Sequence, residues 1–208
     1  LAKRPSAEEF ARFAAILEFV RMDLSKSEDY ARLAETLNAR NADGIVMYVA
    51  TAPSLFTNVC EQLAASGLNS PKVRIVLEKP LGHDLASNRA INATVRRFFA
   101  EEQVYRIDHY LAKEMVQNII AFRFSNSLFE GMWSGESIER IDIRLWETLG
   151  VESRGAFYDG LGTLRDVGQN HLLQMLAFVT MDHPEDFKAD AIRHKRAEVL
   201  QALHVWDA

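Results

Sequence analysis

Three short apolar runs constrain the fold of this chain more than any other feature: Ile45-Val46-Met47-Tyr48-Val49-Ala50, Val73 to Leu77, and Val104 to Ile107. The first is unbroken, and a continuous run of this kind suits a strand covered on both faces. Between them, Pro53 to Ser66 reads as a helix stopped by Gly67, and Leu85 to Phe99 as a second helix. Strand, helix, strand, helix with short links predicts a parallel sheet with right-handed crossovers. Upstream, Phe10, Phe13, Ala14 and Leu17 follow a helical period within an amphipathic helix from Ala7 to Phe19. Phe19 to Leu24 is expected to form a short strand. Glu28 to Ala39 is expected to be a helix with Tyr30, Leu33, Ala34 and Leu37 on one face.

The pattern changes after Asp108. A long helix is expected from Tyr110 to Arg123. Ile138 to Trp146 alternates, with Ile141, Ile143 and Leu145 set against Asp142, Arg144 and Trp146, which suits a half-buried strand of an antiparallel sheet. Leu164 to Thr180 and Asp190 to Ala202 read as helices. A domain boundary is therefore expected near Asp108, dividing an α/β part (1–108) from the start of an α+β part (109–208). No internal repeat or low-complexity segment is visible.

The boundary itself carries the densest chemistry. Arg106 to Glu114 reads RIDHYLAKE, placing an acid, an imidazole, a phenol and an ammonium within nine residues. Asp108 is a good helix N-cap residue. On a helix starting there, His109 and Lys113 are four apart and share one face. Two donors beside the positive end of a helix suit a phosphate. The same residues also read as an ordinary capped helix with a polar first turn, and from spacing alone that reading is the commoner one.

Bulk properties exclude several classes. The 208 residues suffice for one or two domains with a real core, and 48% hydrophobic with 25% charged residues is ordinary for a globular protein. A net charge of −5 argues against nucleic acid as a partner, and means that an anionic substrate needs a local positive pocket. Cys60 is the single cysteine, so no intrachain disulfide or thiolate cluster is possible, which fits a reducing compartment. The six histidines lack metal-site spacing, and no metal is expected. No apolar run reaches the roughly 20 residues of a membrane span, and no signal peptide is visible.

Taken together, several segments resemble the glucose-6-phosphate dehydrogenase family. Glu78-Lys79-Pro80-Leu81-Gly82 resembles its EKP motif, and Arg106 to Glu114 its RIDHYLGKE. Arg165-Asp166 with Gln169-Asn170-His171-Leu172-Leu173-Gln174 resembles its RD-x-x-QNHLLQ. Between and before these, Arg123 to Asn126 resembles RFAN, Gly150 to Gly155 resembles GVEGRG, and Tyr48 to Ser54 resembles the YLA–PS segment. The resemblance runs from about Leu17 to Leu203, and the RIDHYLAKE and QNHLLQ pieces are highly specific. Ala112, Ser153 and Ala156 stand where the family has glycine, and Gly168 where it has methionine or valine. These departures are small-for-small or lie outside the polar set.

The resemblance implies a Rossmann-like parallel sheet followed by an α+β domain. It also implies a cytoplasmic oxidoreductase that converts D-glucose 6-phosphate to 6-phospho-D-glucono-1,5-lactone with hydride transfer to NADP, the first step of the pentose phosphate pathway. Family members form homodimers and homotetramers. His171 matches the family's catalytic base, although a histidine in so apolar a stretch is, taken alone, more often a satisfied core residue. Asp108 would orient that imidazole and stabilise its cation. His109 and Lys113 match phosphate ligands, with Tyr110 as a further donor. Glu147 and Asp166 match acceptors of sugar hydroxyls. Lys79 resembles a lysine touching both substrate and cofactor, and the Lys79–Pro80 bond is the one expected to be cis. Tyr48, Thr51 and Pro53 fall in a stretch that matches the family segment lining the dinucleotide. Lys3 and Arg4 fall near the family's basic residue for the 2′-phosphate, so NADP over NAD is carried by the resemblance alone.

A dinucleotide site of this type begins with a glycine-rich turn. The chain has only Gly160-x-Gly162, with Arg165 where a third glycine belongs. In the resembled family that turn comes earlier, and more antiparallel sheet follows later, so the chain is expected to be the middle portion of a longer enzyme. Two alternatives are a truncated non-catalytic paralogue and another EKP-type sugar oxidoreductase. An unphosphorylated substrate would not need His109 and Lys113.

Overall fold

In a computed structural model, residues 4–146, 148, 150–152 and 155–204 are described. The chain divides into two compact units. One comprises Leu1–Leu77 with Ala86–Tyr105, and the other Glu78–Leu85 with Arg106–Ala208. The in-line division thus falls at Tyr105–Arg106, but the EKP turn groups with the second unit.

The first unit contains helices α1 (Ala7–Ala14), α2 (Ser27–Ala39), α3 (Phe56–Ala65) and α4 (Leu85–Phe98), and strands β1 (Ile45–Val49), β2 (Val73–Leu77) and β3 (Val104–Arg106), which ends at the division. The strand order is β1-β2-β3, and β1 pairs with β2 in parallel, Ile45 opposite Val73 and Val49 opposite Leu77. Pro53–Leu55 forms a 3-10 turn ahead of α3, with the proline at its start, where its missing N–H is not needed. Gly67 ends α3 at φ +73°, a conformation that a Cβ disfavours. The core gathers Tyr30, Phe56, Cys60, Leu63, Leu68, Val73, Ile75, Leu77, Val95 and Phe99. Buried Gln103 fastens the approach to β3, its amide donating to the carbonyls of Ser70 (2.8 Å) and Val73 (2.9 Å).

Three expectations for this unit are corrected. β1 is not covered on both faces: Ile45 and Val49 are buried, but Val46 and Tyr48 are exposed. α1 stops at Ala14, held at its start by a Ser6/Glu9 capping box, and none of its residues is buried. Phe19 to Leu24 is not a strand, and two of its carbonyls are taken by side chains instead of a neighbouring strand. Arg32 donates to the Arg21 carbonyl, and Tyr30 and Asn58 donate to that of Leu24.

The second unit is helical: α5 (Glu114–Phe124), α6 (Ser127–Glu130), α7 (Gly155–Thr163), a π-helical stretch Leu164–Leu172 running straight into α8 (Leu173–Thr180), and α9 (Ala189–Gln201). Its core is Val116, Phe178 and Met181, with Leu111, Ile119, Ile120, Phe124, Met175, Ile192 and Val199 packed around them. Arg123 is buried beside this core, where its guanidinium donates to the carbonyls of Phe178 and Met181, each at 2.8 Å. The expected strand from Ile138 to Trp146 is not formed, and no antiparallel pairing occurs among the described residues. The alternation survives in part, with Ile143 and Leu145 half-buried and Asp142, Arg144 and Trp146 exposed. A strand needs a neighbour to accept its backbone bonds, and none lies beside this segment among the described residues. No helix of the described residues is long and apolar enough to cross a membrane.

Candidate active site

The second unit brings together Lys79, Pro80, Asp108, His109, Tyr110, Lys113, Asp166 and His171. Asp108 follows directly from β3 but does not cap α5. Its Oδ1 accepts the N–H of Tyr110 at 3.0 Å, an Asx-type turn. Two further turns follow, Leu111 N–H to Asp108 O and Lys113 N–H to Tyr110 O, and α5 starts only at Glu114 with Lys113 as its extended N-cap residue. The expectation of a helix from Tyr110, with His109 and Lys113 on one helical face, is thereby corrected. The carboxylate that could have capped a helix is engaged by a turn and by a ring.

That ring is His171. Its Nδ1 lies 2.6 Å from Asp108 Oδ1, across 63 residues of sequence. His171 is 1% exposed and stands in the π-helical stretch. Such wide turns concentrate at functional sites. In the neutral tautomer that fits this geometry, Nδ1–H donates to the carboxylate and Nε2 carries the lone pair. Nε2 is buried and has no hydrogen-bond partner among the described residues. An unpaired buried nitrogen is costly unless it has a use. Burial lowers the His171 pKa from its ordinary value. Asp108 opposes that shift, and the neighbouring Lys79 and His109 add to it. The imidazole is therefore kept neutral near neutral pH, beside a carboxylate that would stabilise it once protonated.

Aromatic contacts surround the ring. Tyr110 stacks on His171, with centroids 4.1 Å apart and planes at 22°. His109 meets His171 edge-on at 4.8 Å. The Lys113 ammonium lies 3.5 Å from the Tyr110 ring centroid, a cation–π contact. Lys79 Nζ donates to both the carbonyl (2.9 Å) and Oδ1 (2.8 Å) of Asp166, 87 residues away. The Lys79–Pro80 peptide is cis, as expected. Asp166 lies in the first turns after a break at Gly162, where φ is +73°.

Other expected positions lie elsewhere. Tyr48, Thr51 and Pro53 belong to the first unit, at and just beyond the C-terminal end of β1. Thr51 Oγ1 is buried with no partner among the described residues, an atom suited to a ligand's hydrogen bond. Glu147 lies outside the described residues, as does Lys3. Two neighbours escaped sequence reasoning. Asn170 bonds both His171 and Asp166, and Arg196 donates to Gln174, one turn beyond His171. Asn170 was visible within the QNHLLQ segment. Arg196 carried no local signal.

Residues 2–118 match the family model described as glucose-6-phosphate dehydrogenase, NAD binding domain, and residues 120–208 match its C-terminal domain. The glucose-6-phosphate 1-dehydrogenase of Gluconobacter oxydans is 47% identical over 194 residues, covering 92% of this chain and 40% of that protein. The corresponding protein of Zymomonas mobilis is 44% identical over 193 residues, covering 93% and 40%. The crystal structure of glucose-6-phosphate 1-dehydrogenase from Mycobacterium avium superposes with a TM-score of 0.87 at 38% identity, covering 96% of this chain and 44% of that one. A structure described as glucose-6-phosphate dehydrogenase in complex with its substrate glucose-6-phosphate gives a TM-score of 0.87 at 33% identity, covering 94% and 42%. The chain thus spans about 40% of the length of these curated relatives. Two adjoining domain models that match nearly its whole length place this chain in the glucose-6-phosphate dehydrogenase family.

Proposed function

We propose that this chain carries the sugar-phosphate and proton-transfer residues of an enzyme that oxidises D-glucose 6-phosphate to 6-phospho-D-glucono-1,5-lactone, with NADP as hydride acceptor. One observation carries the reading: a buried, neutral imidazole whose Nδ1 is held by a carboxylate and whose Nε2 is unpaired among the described residues. His171 Nε2 takes the proton of the C1 hydroxyl. Asp108 holds the ring in the tautomer that leaves Nε2 free and stabilises the imidazolium that results. When bound, the nicotinamide accepts the hydride from C1. Lys79, Asp166 and Glu147 bond the sugar hydroxyls. His109, Tyr110 and Lys113 bind the phosphate dianion, for which Lys113 leaves the Tyr110 ring. Binding there fixes C1 at a distance from the anchor, so the phosphate orients the reacting carbon.

The parallel β1–β2 pair and the unpartnered Thr51 hydroxyl fit a dinucleotide at the C-terminal ends of the strands. Tyr48, Thr51 and Pro53 would line it, the resemblance adds Lys79 and Pro80 as cofactor contacts, and NADP is favoured over NAD by the resemblance alone. Residues 1–108 serve the dinucleotide and 109–208 the sugar phosphate, with the EKP turn acting with the latter. The full-length protein acts as a cytoplasmic homodimer or homotetramer.

Calorimetric titration of D-glucose 6-phosphate into the chain, alongside a His109→Ala/Lys113→Ala double variant, tests the reading. The expected result is heat of binding in the parent that is lost in the variant. Equal binding by both proteins would remove the phosphate assignment, and with it the preference for a phosphorylated sugar.

A further inference from the structure

The two pairs of the site, Asp108–His171 and Lys79–Asp166, are joined by one side chain. Asn170 Nδ2 donates to the carbonyl of Asp166 at 2.8 Å, and Asn170 Oδ1 accepts the backbone N–H of His171 at 2.6 Å. The same Asp166 carbonyl also receives the Lys79 ammonium at 2.9 Å. A continuous chain of hydrogen bonds therefore runs from Lys79 through Asp166 and Asn170 to His171 and Asp108. All of it beyond Lys79 and Asp108 lies in the π-helical stretch Leu164–Leu172.

The π geometry makes a bridge of this kind useful. A wide turn departs from regular i→i−4 bonding, so backbone groups inside it need other partners. Here the Asp166 carbonyl is turned to two side-chain donors, an amide and an ammonium. Asn170 has an acceptor and a donor on one short, stiff group, so a single side chain can fix both ends. It is half-buried, which shields both bonds from water.

We propose that Asn170 is a positioning residue. It sets the backbone of His171 relative to Asp166, and so sets the imidazole against Asp108 and the Lys79 ammonium against the sugar. The proposal rests on the functional reading above for its catalytic consequence, but not for its geometric content. An alanine at position 170 loses both bonds. A serine keeps a hydroxyl that can bond the carbonyl four residues back, restoring the Asp166 side only.

The test is nitrogen-detected NMR of the His171 ring in the parent chain, Asn170→Ala and Asn170→Ser, with thermal melts of each. The parent should show a single neutral tautomer protonated at Nδ1, with that proton shifted far downfield and slow to exchange. Asn170→Ala should lose the slow proton and mix the tautomers. Asn170→Ser should fall between the two, at an unchanged melting temperature. In hydride-transfer assays kcat should fall about 10- to 100-fold in Asn170→Ala while KM for glucose 6-phosphate stays within about threefold, because misplacement affects the reacting geometry rather than the phosphate anchor. Identical ring spectra in all three proteins would overturn the proposal. If Asn170→Ala does not fold, Asn170→Ser decides alone, and a parent-like spectrum refutes it. Hydride transfer is read in the full-length protein, whose inactivity would count against the proposed function and leave the spectral test intact.

Discussion

Replacing Asp108 by asparagine changes one charge and almost no volume, which makes it the sharpest probe of the site. Asp108 Oδ1 lies 2.6 Å from His171 Nδ1, with side-chain exposures of 16% and 2%, so the bond is largely shielded from solvent. A hydrogen bond to a charged partner in such a place contributes about 1.5–3 kcal/mol. In the proposed reaction that term grows, because the ring would become an imidazolium. Losing about 2–3 kcal/mol of that stabilisation slows hydride transfer roughly 30- to 150-fold. Asparagine adds a second fault. Its amide can donate to Nδ1, which moves the ring proton to Nε2, the atom that must be free. Where a carboxylate–imidazole pair suffers that inversion the loss reaches about 10⁴-fold. Single-turnover reduction of NADP by D-glucose 6-phosphate in the full-length protein, with the substrate affinity measured separately, reads both terms. The expected outcome is a rate lower by about 10² to 10⁴-fold with affinity changed little, since the phosphate ligands are untouched. A variant within about threefold of the parent would mean that the pair is structural and that proton transfer runs through another group.

Three further outcomes follow from the same structure. His171 has a lowered folded-state pKa, so between that value and its ordinary value the unfolded chain binds more protons; stability should rise with pH through this window, be complete above it, and the slope should shrink in His171→Asn, as read by thermal melts in a pH series. Gly67 sits at φ +73°, and a Cβ added there would meet nothing within 4 Å, so Gly67→Ala should lose about 1–2 kcal/mol from backbone strain alone, measured by urea unfolding with an unchanged slope. Arg123→Met should destabilise the second unit by about 2–4 kcal/mol, because two carbonyls lose a buried charged donor; hydrogen exchange at Phe178 to Asp182 should rise, and no change there would show the guanidinium to be redundant.

Local pattern alone located β1, β2, α2, α4 and α9 to within about a residue, and the end of α3 likewise, although Pro53–Leu55 at its expected start is a 3-10 turn; apolar spacing and the stop at Gly67 are properties of adjacent residues. The motif segments likewise named residues that the second unit brings together: Lys79, Asp108, Asp166 and His171. Sequence could not say which of two uses Asp108 would serve. A carboxylate ahead of a helical pattern reads as a cap, and only the arrival of His171 from 63 residues away turned it to a ring. The delayed start of α5 at Glu114 follows from that choice. The same holds for the partnership of Lys79 with Asp166, for the bridge through Asn170, and for the exposed face of β1. Each depends on which groups meet after long loops close, and periodicity within one segment holds no information about that. The burial of His171 is decided at the same level: helical spacing made it a core position, the motif resemblance made it a candidate base, and only packing set a carboxylate on one nitrogen and left the other without a described partner.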